Sequence, residues 1–243
     1  MQDKDFIQFE KDLLEFGIQL QKDQEEEFLS YYKLLVEWNS FMNLTAITEW
    51  KDVLKKHFVD SISLIKAVPD LAAKNYKVID IGTGAGFPGI PLKIIFPNLT
   101  VVLLDSLNKR IKFLNTVIDE LILDDITAIH GRAEDYSKPG EMREQFDLCV
   151  SRAVANMSTL SEYCLPYVKK NGLFISYKSE KINEELNQAS KAFTVLGGKL
   201  DHQVEFQLPS SDIYRNLVLI KKVKNTPLSF PRKAGLASKE PLC

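Results

Sequence analysis

The spacing of apolar residues is helical through the first part of the chain, up to about residue 68. Intervals of three and four residues between apolar side chains are typical of amphipathic helices. In the first predicted helix these side chains are Phe6, Phe9, Leu13 and Leu14. Gly17 is expected to separate this helix from a second one, because glycine interrupts helical patterns. The periodicity fails around 38–45, where polar turn formers predict a loop, and resumes in a helix over 49–66 that ends before Pro69.

From Tyr76 onward, short apolar runs alternate with helical stretches, which indicates strand–helix–strand units of a parallel sheet. The predicted strands are Val78–Ile81, Thr100–Asp105, Ile126–His130, Phe146–Ser151, Gly172–Tyr177, Lys199–Gln207 and Arg215–Lys222. The predicted helices among them are Pro91–Phe96, Lys109–Leu123, Ser158–Lys170 and Lys181–Leu196. The last two strands follow one another without a predicted helix, so we expect an antiparallel hairpin. The expected fold is α/β, a doubly wound seven-stranded sheet of mostly parallel strands.

The chain is expected to divide into three parts. Residues 1–70 form an α-helical N-terminal region that is expected to pack onto the sheet. Residues 71–224 form the α/β domain itself. Residues 225–243 carry prolines and basic side chains, which predict an extended basic tail rather than another helix or strand.

Composition narrows the class of protein. The chain has 243 residues, of which 45% are hydrophobic and 26% charged, as in ordinary globular proteins. Its apolar runs are shorter than the roughly 20 residues of a membrane helix, and its charged N-terminus lacks a signal-peptide core. The three cysteines, Cys149, Cys164 and Cys243, are therefore expected to be reduced thiols of a cytoplasmic protein, two in the core and one on the tail. Scattered histidines predict no metal site.

Charge distribution says more than the net charge of −2. The first 30 residues are acidic, whereas the C-terminal end is rich in lysine and arginine. A local basic segment on a nearly neutral protein is typical of a nucleic-acid contact. A merely solubilising terminus is the alternative, and charge alone does not decide between the two.

A glycine-rich turn after the first predicted strand is the strongest candidate site. The segment is Asp80-Ile81-Gly82-Thr83-Gly84-Ala85-Gly86-Phe87-Pro88-Gly89. Glycines there allow positive φ and let a ligand approach the main chain, and the following helix begins near a proline, which suits its first turn. The sequence therefore predicts a nucleotide-like ligand on this turn.

Two cofactor classes compete for the turn. The stretch 84–89 matches the G-x-G-x-x-G fingerprint of dinucleotide-binding proteins, and Asp105 lies where a ribose-binding acid belongs. S-adenosylmethionine also needs that acid. Asp80 before the glycines favours a cationic cofactor over a pyrophosphate, Glu134 after the third strand is placed to meet an adenine edge, and the closing hairpin is unlike a dinucleotide sheet. Together these features favour S-adenosylmethionine.

Several segments, spread over nearly the whole chain, carry a family resemblance. They are Asn39-x-x-x-Asn43-Leu44-Thr45-Ala46-Ile47, His57-Phe58-x-Asp60-Ser61, the glycine turn, Asp105-Ser106-x-x-Lys109-Arg110, Arg132-Ala133-Glu134, Ser151-Arg152-Ala153-Val154-Ala155 and Pro231-Arg232-Lys233-x-Gly235. With them the chain resembles the bacterial small-subunit ribosomal RNA guanine-N7 methyltransferases, the glucose-inhibited division protein B family. Ala237 stands where the family tail usually has proline.

The resemblance implies a Rossmann-like class I S-adenosylmethionine-dependent methyltransferase. The implied reaction is methyl transfer to N7 of one guanine in 16S ribosomal RNA, near the decoding centre. The cofactor-binding positions expected from the resemblance, the glycine turn and the strand ends are Asp80, Gly82, Gly84, Phe87, Asp105, Ala133, Glu134 and Arg152. Guanine N7 has a lone pair and no proton, so catalysis needs positioning rather than an acid or base, and Arg152 is expected to supply it.

The expected partner is 16S ribosomal RNA or the small ribosomal subunit, bound by a monomer without metal or membrane. The residues expected to contact RNA phosphates are Lys109, Arg110, Lys178, Arg232 and Lys233. Four residues ahead of the sheet are candidates for the side that receives the base: Asn39, Asn43, His57 and Asp60. Two alternatives stay open at this point, a non-catalytic nucleotide-binding regulatory protein and an NAD-dependent oxidoreductase.

Overall fold

A computed structural model describes residues 4–152 and 155–242. Its centre is one seven-stranded sheet with the strand order β3-β2-β1-β4-β5-β7-β6. The strands are β1 Lys77–Ile81, β2 Thr100–Asp105, β3 Ile126–His130, β4 Phe146–Arg152, β5 Val168–Lys178, β6 Gly198–Gln207 and β7 Tyr214–Lys222. β7 pairs antiparallel with both β5 and β6, whereas the pairs among β1 to β5 are parallel. The predicted fold class and its terminal hairpin are confirmed.

Helices cover both faces of this sheet. Four short pieces, Trp50–Val53, Leu54–Val59, Asp60–Ile62 and Ser63–Lys66, follow one another as a single helical segment, α3, in which the second piece is a π-helical turn and the last is 3₁₀. The other helices are α1 Lys4–Leu14, α2 Lys22–Met42, α4 Gly89–Ile95, α5 Asn108–Glu120, α6 Ala133–Tyr136, α7 Met157–Cys164, α8 Asn183–Val195 and α9 Leu236–Lys239. A 3₁₀ turn, Leu165–Tyr167, joins α7 to β5.

Alternating side chains of the buried strands supply two separate cores, because successive residues of a strand point to opposite faces. Val78 packs in the core that lies under α1 to α5, whereas its neighbour Ile79 packs in the core under α7 and α8. Both side chains are fully buried. Because helices cover both faces of the sheet, the sequences of the central strands are continuously apolar instead of alternating between apolar and polar residues.

An aromatic cluster joins the N-terminal helices to the glycine turn. The rings of Phe28 and Phe58 lie 4.8 Å apart between centroids, and Phe58 in turn lies 6.1 Å from Phe87 of the turn. Tyr31 packs 5.5 Å from Phe87, and its hydroxyl donates to the Ala85 carbonyl. The helical region thus shares one core with the sheet, while the division near residue 70 stays a prediction.

The loop predicted around 38–45 is partly wrong, because α2 continues to Met42. Trp38 packs against Phe113 of α5 with ring centroids 5.7 Å apart, so tertiary packing outweighs the polar residues that follow it. The helix ends where Asn43 adopts a left-handed backbone with φ of 52°, a conformation that asparagine tolerates better than most residues. The loop itself therefore begins about five residues later than the polar pattern suggested.

Two predictions near the C-terminal half also need correction. The helix predicted over 158–170 ends at Cys164, because Val168 already pairs with Phe146 and β5 begins there. The tail is not wholly extended, since Leu236–Lys239 forms a short helix whose Ala237 is buried. The core positions expected for Cys149 and Cys164 are confirmed, and neither thiol is in a disulfide. The expectations for Ala153, Val154 and Cys243 lie outside the described residues.

Within 4–152 and 155–242, no helix is both long and apolar enough to cross a bilayer.

We predict that Phe58→Ala destabilises the protein by about 3–5 kcal/mol, because it removes a fully buried ring from the aromatic cluster. Unfolding in urea, followed by far-UV circular dichroism, measures this loss. Phe41→Ala is the control, since its ring is 65% exposed and its removal should change stability by less than about 0.5 kcal/mol. Equal effects of the two substitutions would contradict the cluster's role.

Candidate functional site

A cavity of about 460 Å³ opens where β1, β2, β3 and β4 end. Open α/β sheets bind ligands at this edge, beside the first strand. The order of the strands spreads the lining residues along the edge: Glu134 follows β3, Asp105 ends β2, Gly82 follows β1 and Arg152 ends β4. Of the eight predicted cofactor positions, seven line the cavity: Gly82, Gly84, Phe87, Asp105, Ala133, Glu134 and Arg152.

The turn owes its shape to glycines that no other residue replaces without strain. Gly82, Gly84 and Gly86 have φ of 71°, 63° and 97°, which side chains with a Cβ disfavour. A Cβ on Gly86 would also lie 2.5 Å from Cδ1 of Ile90 and 2.7 Å from the Tyr31 hydroxyl oxygen. The prediction of a bare backbone turn is therefore confirmed in its geometry.

Asp80 is the exception among the predicted cofactor positions. Its side chain is completely buried beneath the turn, and among the described residues it is not part of the cavity wall. One carboxylate oxygen accepts from the Thr83 hydroxyl at 2.7 Å and from the Gly89 amide at 2.9 Å. The carboxylate braces the turn from below, and the direct cofactor contact expected for Asp80 stays a prediction.

Asp105 is held rigidly at the end of β2. Its two carboxylate oxygens accept from the amides of Gly84 and Leu107, at 3.0 and 2.9 Å, and from the Arg110 guanidinium at 3.0 Å. The side chain is 3% exposed and faces the cavity. Arg110 is thus paired with a buried acid, and the RNA phosphate contact expected for it stays a prediction.

The C-terminal tail reaches the cavity wall through Glu134. This carboxylate lies in the first turn of α6, lines the cavity, and accepts from the Gly235 amide at 2.8 Å. Thr159 of α7 donates to the Ala237 carbonyl at 3.0 Å. The tail is thus docked beside the adenine end expected for the cofactor, which the sequence did not predict.

Arg152 occupies the opposite end, within a group of buried polar side chains. It donates to Asp60 at 2.9 Å and its guanidinium lies 5.1 Å above the Phe87 ring. Asp60 also accepts from Arg215 of β7 at 2.7 Å, so one carboxylate between two arginines fixes this corner. Arg215 was missed from the sequence, because its partner is 155 residues away.

His57 stacks on Phe87 with centroids 4.4 Å apart and lies 3.2 Å, through Nδ1, from an Arg152 nitrogen. Burial and the neighbouring Arg152 charge lower the pKa of His57 to about 3, so the imidazole is neutral at physiological pH. Its Nε2 lies 2.9 Å from the Thr45 hydroxyl. Thr45 also lines the cavity and was not predicted as a site residue, although it belongs to the Asn39–Ile47 segment of the family resemblance.

Three of the four residues considered for the base-receiving side do not line the cavity within the described parts of the chain: Asn39, Asn43 and Asp60. Asn39 instead accepts from the Thr45 amide at 2.8 Å and so positions that loop. His57 alone of the four reaches the wall.

The predicted RNA contacts are mostly engaged within the protein. Lys109 donates to the Met42 carbonyl at 2.8 Å, although it stays exposed, and Lys178 pairs with Glu185 at 2.9 Å. Arg232 forms a 2.6 Å pair with Glu162, which is 1% exposed and accepts the Arg232 amide as well. Arg232 is thus already paired within the protein, whereas Lys233 is solvent-exposed; the RNA contacts expected for both residues stay predictions.

Comparison with known proteins finds similarity to one family along most of the chain. A family model described as rRNA small subunit methyltransferase G (GidB) matches residues 24–214. The chain is 55% identical over 239 residues to the ribosomal RNA small subunit methyltransferase G of Lachnoclostridium phytofermentans, and the match covers 98% of each protein. It is 51% identical over 226 residues to the protein of the same name from Clostridium tetani, covering 93% of this chain and 94% of the relative.

Solved structures that are similar to this chain share its fold at low sequence identity. M. jannaschii TYW2 in complex with AdoMet superposes with a TM-score of 0.52 at 16% identity, covering 67% of this chain and 74% of that one. MtNAS in complex with MTA and tNA superposes with a TM-score of 0.55 at 16% identity, covering 83% and 74%. These likenesses establish the Rossmann-like fold.

We predict that Asp80 makes stability depend on pH between about 4 and 7. Burial raises the pKa of Asp80 to about 7, whereas an aspartate in an unfolded chain titrates near 4. The folded state keeps the Asp80 proton to a higher pH than the unfolded state does. The stabilisation that this gives is therefore fully present below about pH 4 and is lost as the pH rises through 7. Urea unfolding of the wild type and Asp80→Asn at a series of pH values measures the difference.

The difference in unfolding free energy between wild type and Asp80→Asn should fall from pH 4 to 7 and then level off. Thr83→Val is the control, because it removes one hydrogen bond to Asp80 but leaves the carboxyl group able to titrate. Parallel curves for the wild type and Asp80→Asn over this range would show that Asp80 does not titrate as proposed.

Proposed function

The chain belongs to the rRNA small subunit methyltransferase G family, and on that premise we propose that it methylates N7 of a guanine in 16S ribosomal RNA with S-adenosylmethionine. The observation that carries the proposal is the cavity over the glycine turn, with Asp105 at the end of β2 and Arg152 at the end of β4. The substrate class follows from the names of relatives that match the chain over nearly its full length.

The residues of the cavity fit S-adenosylmethionine. Its volume of about 460 Å³ lies within the range of small-molecule sites, and the turn has no side chain at Gly82 or Gly84 that would keep a ligand from the main chain. We assign Asp105 to the ribose hydroxyls, Ala133 and Glu134 to the adenine, and Arg152 to the carboxylate end.

Positioning is the main contribution of these residues to the reaction. When bound, the cofactor supplies an activated methyl group on a positively charged sulfur. Guanine N7 attacks through its lone pair and has no proton to lose, so the protein needs no general base. Holding the reactants in line is worth about 7–11 kcal/mol of the barrier. A neutral His57 and an Arg152 held by Asp60 suit a site that orients without exchanging protons.

The oxidoreductase alternative meets a specific obstacle at the turn. A dinucleotide site presents main-chain amides to a pyrophosphate. Here the Gly84 amide already donates to Asp105, and the Gly89 amide donates to Asp80. Neither amide is free for a pyrophosphate, and a pyrophosphate over Gly84 would meet the Asp105 carboxylate that faces the cavity, so the arrangement favours a cofactor without phosphate.

We propose that the protein acts as a monomer in the cytoplasm, on 16S ribosomal RNA or the small subunit, without a metal ion. We also propose that residues 71–224 form the methyltransferase unit, with 1–70 and 225–243 completing the walls of its site. Glu134 with the tail, and Thr45 with His57, are the contacts that support this division of labour.

Methylation of small-subunit RNA by the purified protein tests the function directly. We expect transfer of labelled methyl groups from S-adenosylmethionine to small subunits or naked 16S RNA, and cleavage at N7-methylguanosine should map the label to one nucleotide. Asp105→Asn should weaken cofactor binding at least tenfold in calorimetry, because ribose loses a charged acceptor. Cofactor binding without methylation of either RNA substrate would instead support a non-catalytic binding protein.

We predict different roles for the two neighbouring basic residues of the tail. Lys233→Ala should weaken RNA binding and reduce the salt slope by about one, because one phosphate contact is lost, while the melting temperature stays unchanged. Arg232→Ala should lower stability by about 3 kcal/mol, because it leaves the buried Glu162 carboxylate unpaired. Salt titrations of RNA affinity, with urea unfolding alongside, separate the two effects. An unchanged salt slope for Lys233→Ala would exclude the proposed phosphate contact.

A further inference from the structure

The Thr45 hydroxyl is held at the cavity wall by two neighbours. Its oxygen lies 2.9 Å from His57 Nε2 and accepts from the Ile47 amide at 3.1 Å. The Thr45 amide donates to the Asn39 side chain at 2.8 Å, which fixes the backbone on which the hydroxyl is carried. A half-buried threonine with this much support points to a role in the cavity rather than to a solvated loop residue.

The arginine behind His57 decides which way the first of these hydrogen bonds runs. A guanidinium only donates, so the 3.2 Å contact from Arg152 makes His57 Nδ1 an acceptor. From this contact we assign the proton of the neutral ring to Nε2, which then donates to the Thr45 oxygen. Asp60 keeps Arg152 in place for this contact through its own 2.9 Å pair.

Both lone pairs of the Thr45 oxygen are therefore taken, one by His57 and one by the Ile47 amide. Its own proton has no acceptor among residues 4–152 and 155–242. In this arrangement the hydroxyl can donate a hydrogen bond to a ligand in the cavity but cannot accept one. The chain of hydrogen bonds from Arg152 through His57 to Thr45 thus makes the Thr45 hydroxyl a hydrogen-bond donor toward the cavity.

The position of Thr45 places that donor at the reacting end. Its partner His57 stacks on Phe87 beside Arg152, on the β4 side of the glycine turn, whereas Asp105 and Glu134 lie on the β2 and β3 side. An adenosine held at Asp105 and Glu134 therefore leaves the β4 side for the methionyl end of the cofactor and for the base that approaches its methyl group.

Guanine and adenine differ at the edge that carries N7. Beside N7, guanine presents the O6 acceptor and adenine presents the N6 amino donor. We propose that the Thr45 hydroxyl donates to O6 of the target guanine and is a specificity-determining residue that excludes adenine. A donor-only hydroxyl would meet a second donor on adenine, and neither could be satisfied. This inference rests on the proposed function.

The test compares Thr45→Val with Thr45→Ser, because valine preserves the shape and serine preserves the hydroxyl. Each variant is assayed on small subunits that carry guanine, or adenine, at the nucleotide methylated by the wild type. Thr45→Val should lower kcat/KM for guanine by about 10–100-fold, the cost of an unpaired O6, and change that for adenine little. Thr45→Ser should stay within about threefold of the wild type.

Two further measurements separate specificity from structural damage. Calorimetry should give an S-adenosylmethionine dissociation constant for Thr45→Val within about twofold of the wild type. Thr48→Val is the matched control in the same loop, since within the described residues the Thr48 carbonyl accepts from Tyr32 and its side chain makes no hydrogen bond. It should leave both the guanine rate and the preference for guanine over adenine unchanged.

Three outcomes would overturn the inference. Thr45→Val with full activity on guanine shows that the hydroxyl does not contact O6. Equal losses on guanine and adenine, together with weaker cofactor binding, show that the hydroxyl donates to the cofactor instead. A wild-type protein that methylates neither RNA substrate overturns the proposed function first, and is recognised before any variant is compared.

Discussion

The shape of the glycine turn depends on carboxylates that accept its main-chain amides. Asp80 holds Gly89 from beneath, and Asp105 holds Gly84 from the side. Glycines adopt the three positive φ values of the turn without steric strain, but fixing such freely rotating residues costs conformational entropy, so neighbouring groups must hold the backbone. Asp105, which faces the cavity, places an acid where a phosphate-binding loop has free amide donors. The preference for a cofactor without phosphate thus follows from a hydrogen bond that also keeps the backbone in place.

The helical N-terminal region is part of this support rather than an addition to it. Tyr31 reaches from α2 to the Ala85 carbonyl, and Phe58 of α3 packs toward Phe87. The same α3 carries His57, whose ring covers Phe87 on the cavity side. Loss of packing in these helices would therefore reach the site through Phe87. This explains why residues far from the sheet in sequence take part in forming its ligand edge.

The sequence predicted the seven strands, the hairpin and the glycine turn because these depend on local patterns. The predictions were wrong or incomplete where contacts between distant parts of the chain determine the structure. Trp38 extends α2 by packing on α5, and Asp80 turns out to be a brace because its burial cannot be read from its position before the glycines. Thr45 escaped notice because its role depends on His57 and Arg152, which come from two other segments.

Charge was the least informative of the sequence signals, and the structure shows why. Three of the arginines at the site or on the tail, Arg110, Arg152 and Arg232, each pair with a carboxylate that is at most 4% exposed. A buried carboxylate requires such a partner, since an unpaired one costs several kcal/mol. These arginines therefore stabilise and orient first. Lys109 and Lys233, by contrast, remain exposed, so the paired arginines define the pocket while the exposed lysines are the residues for which an RNA contact is proposed.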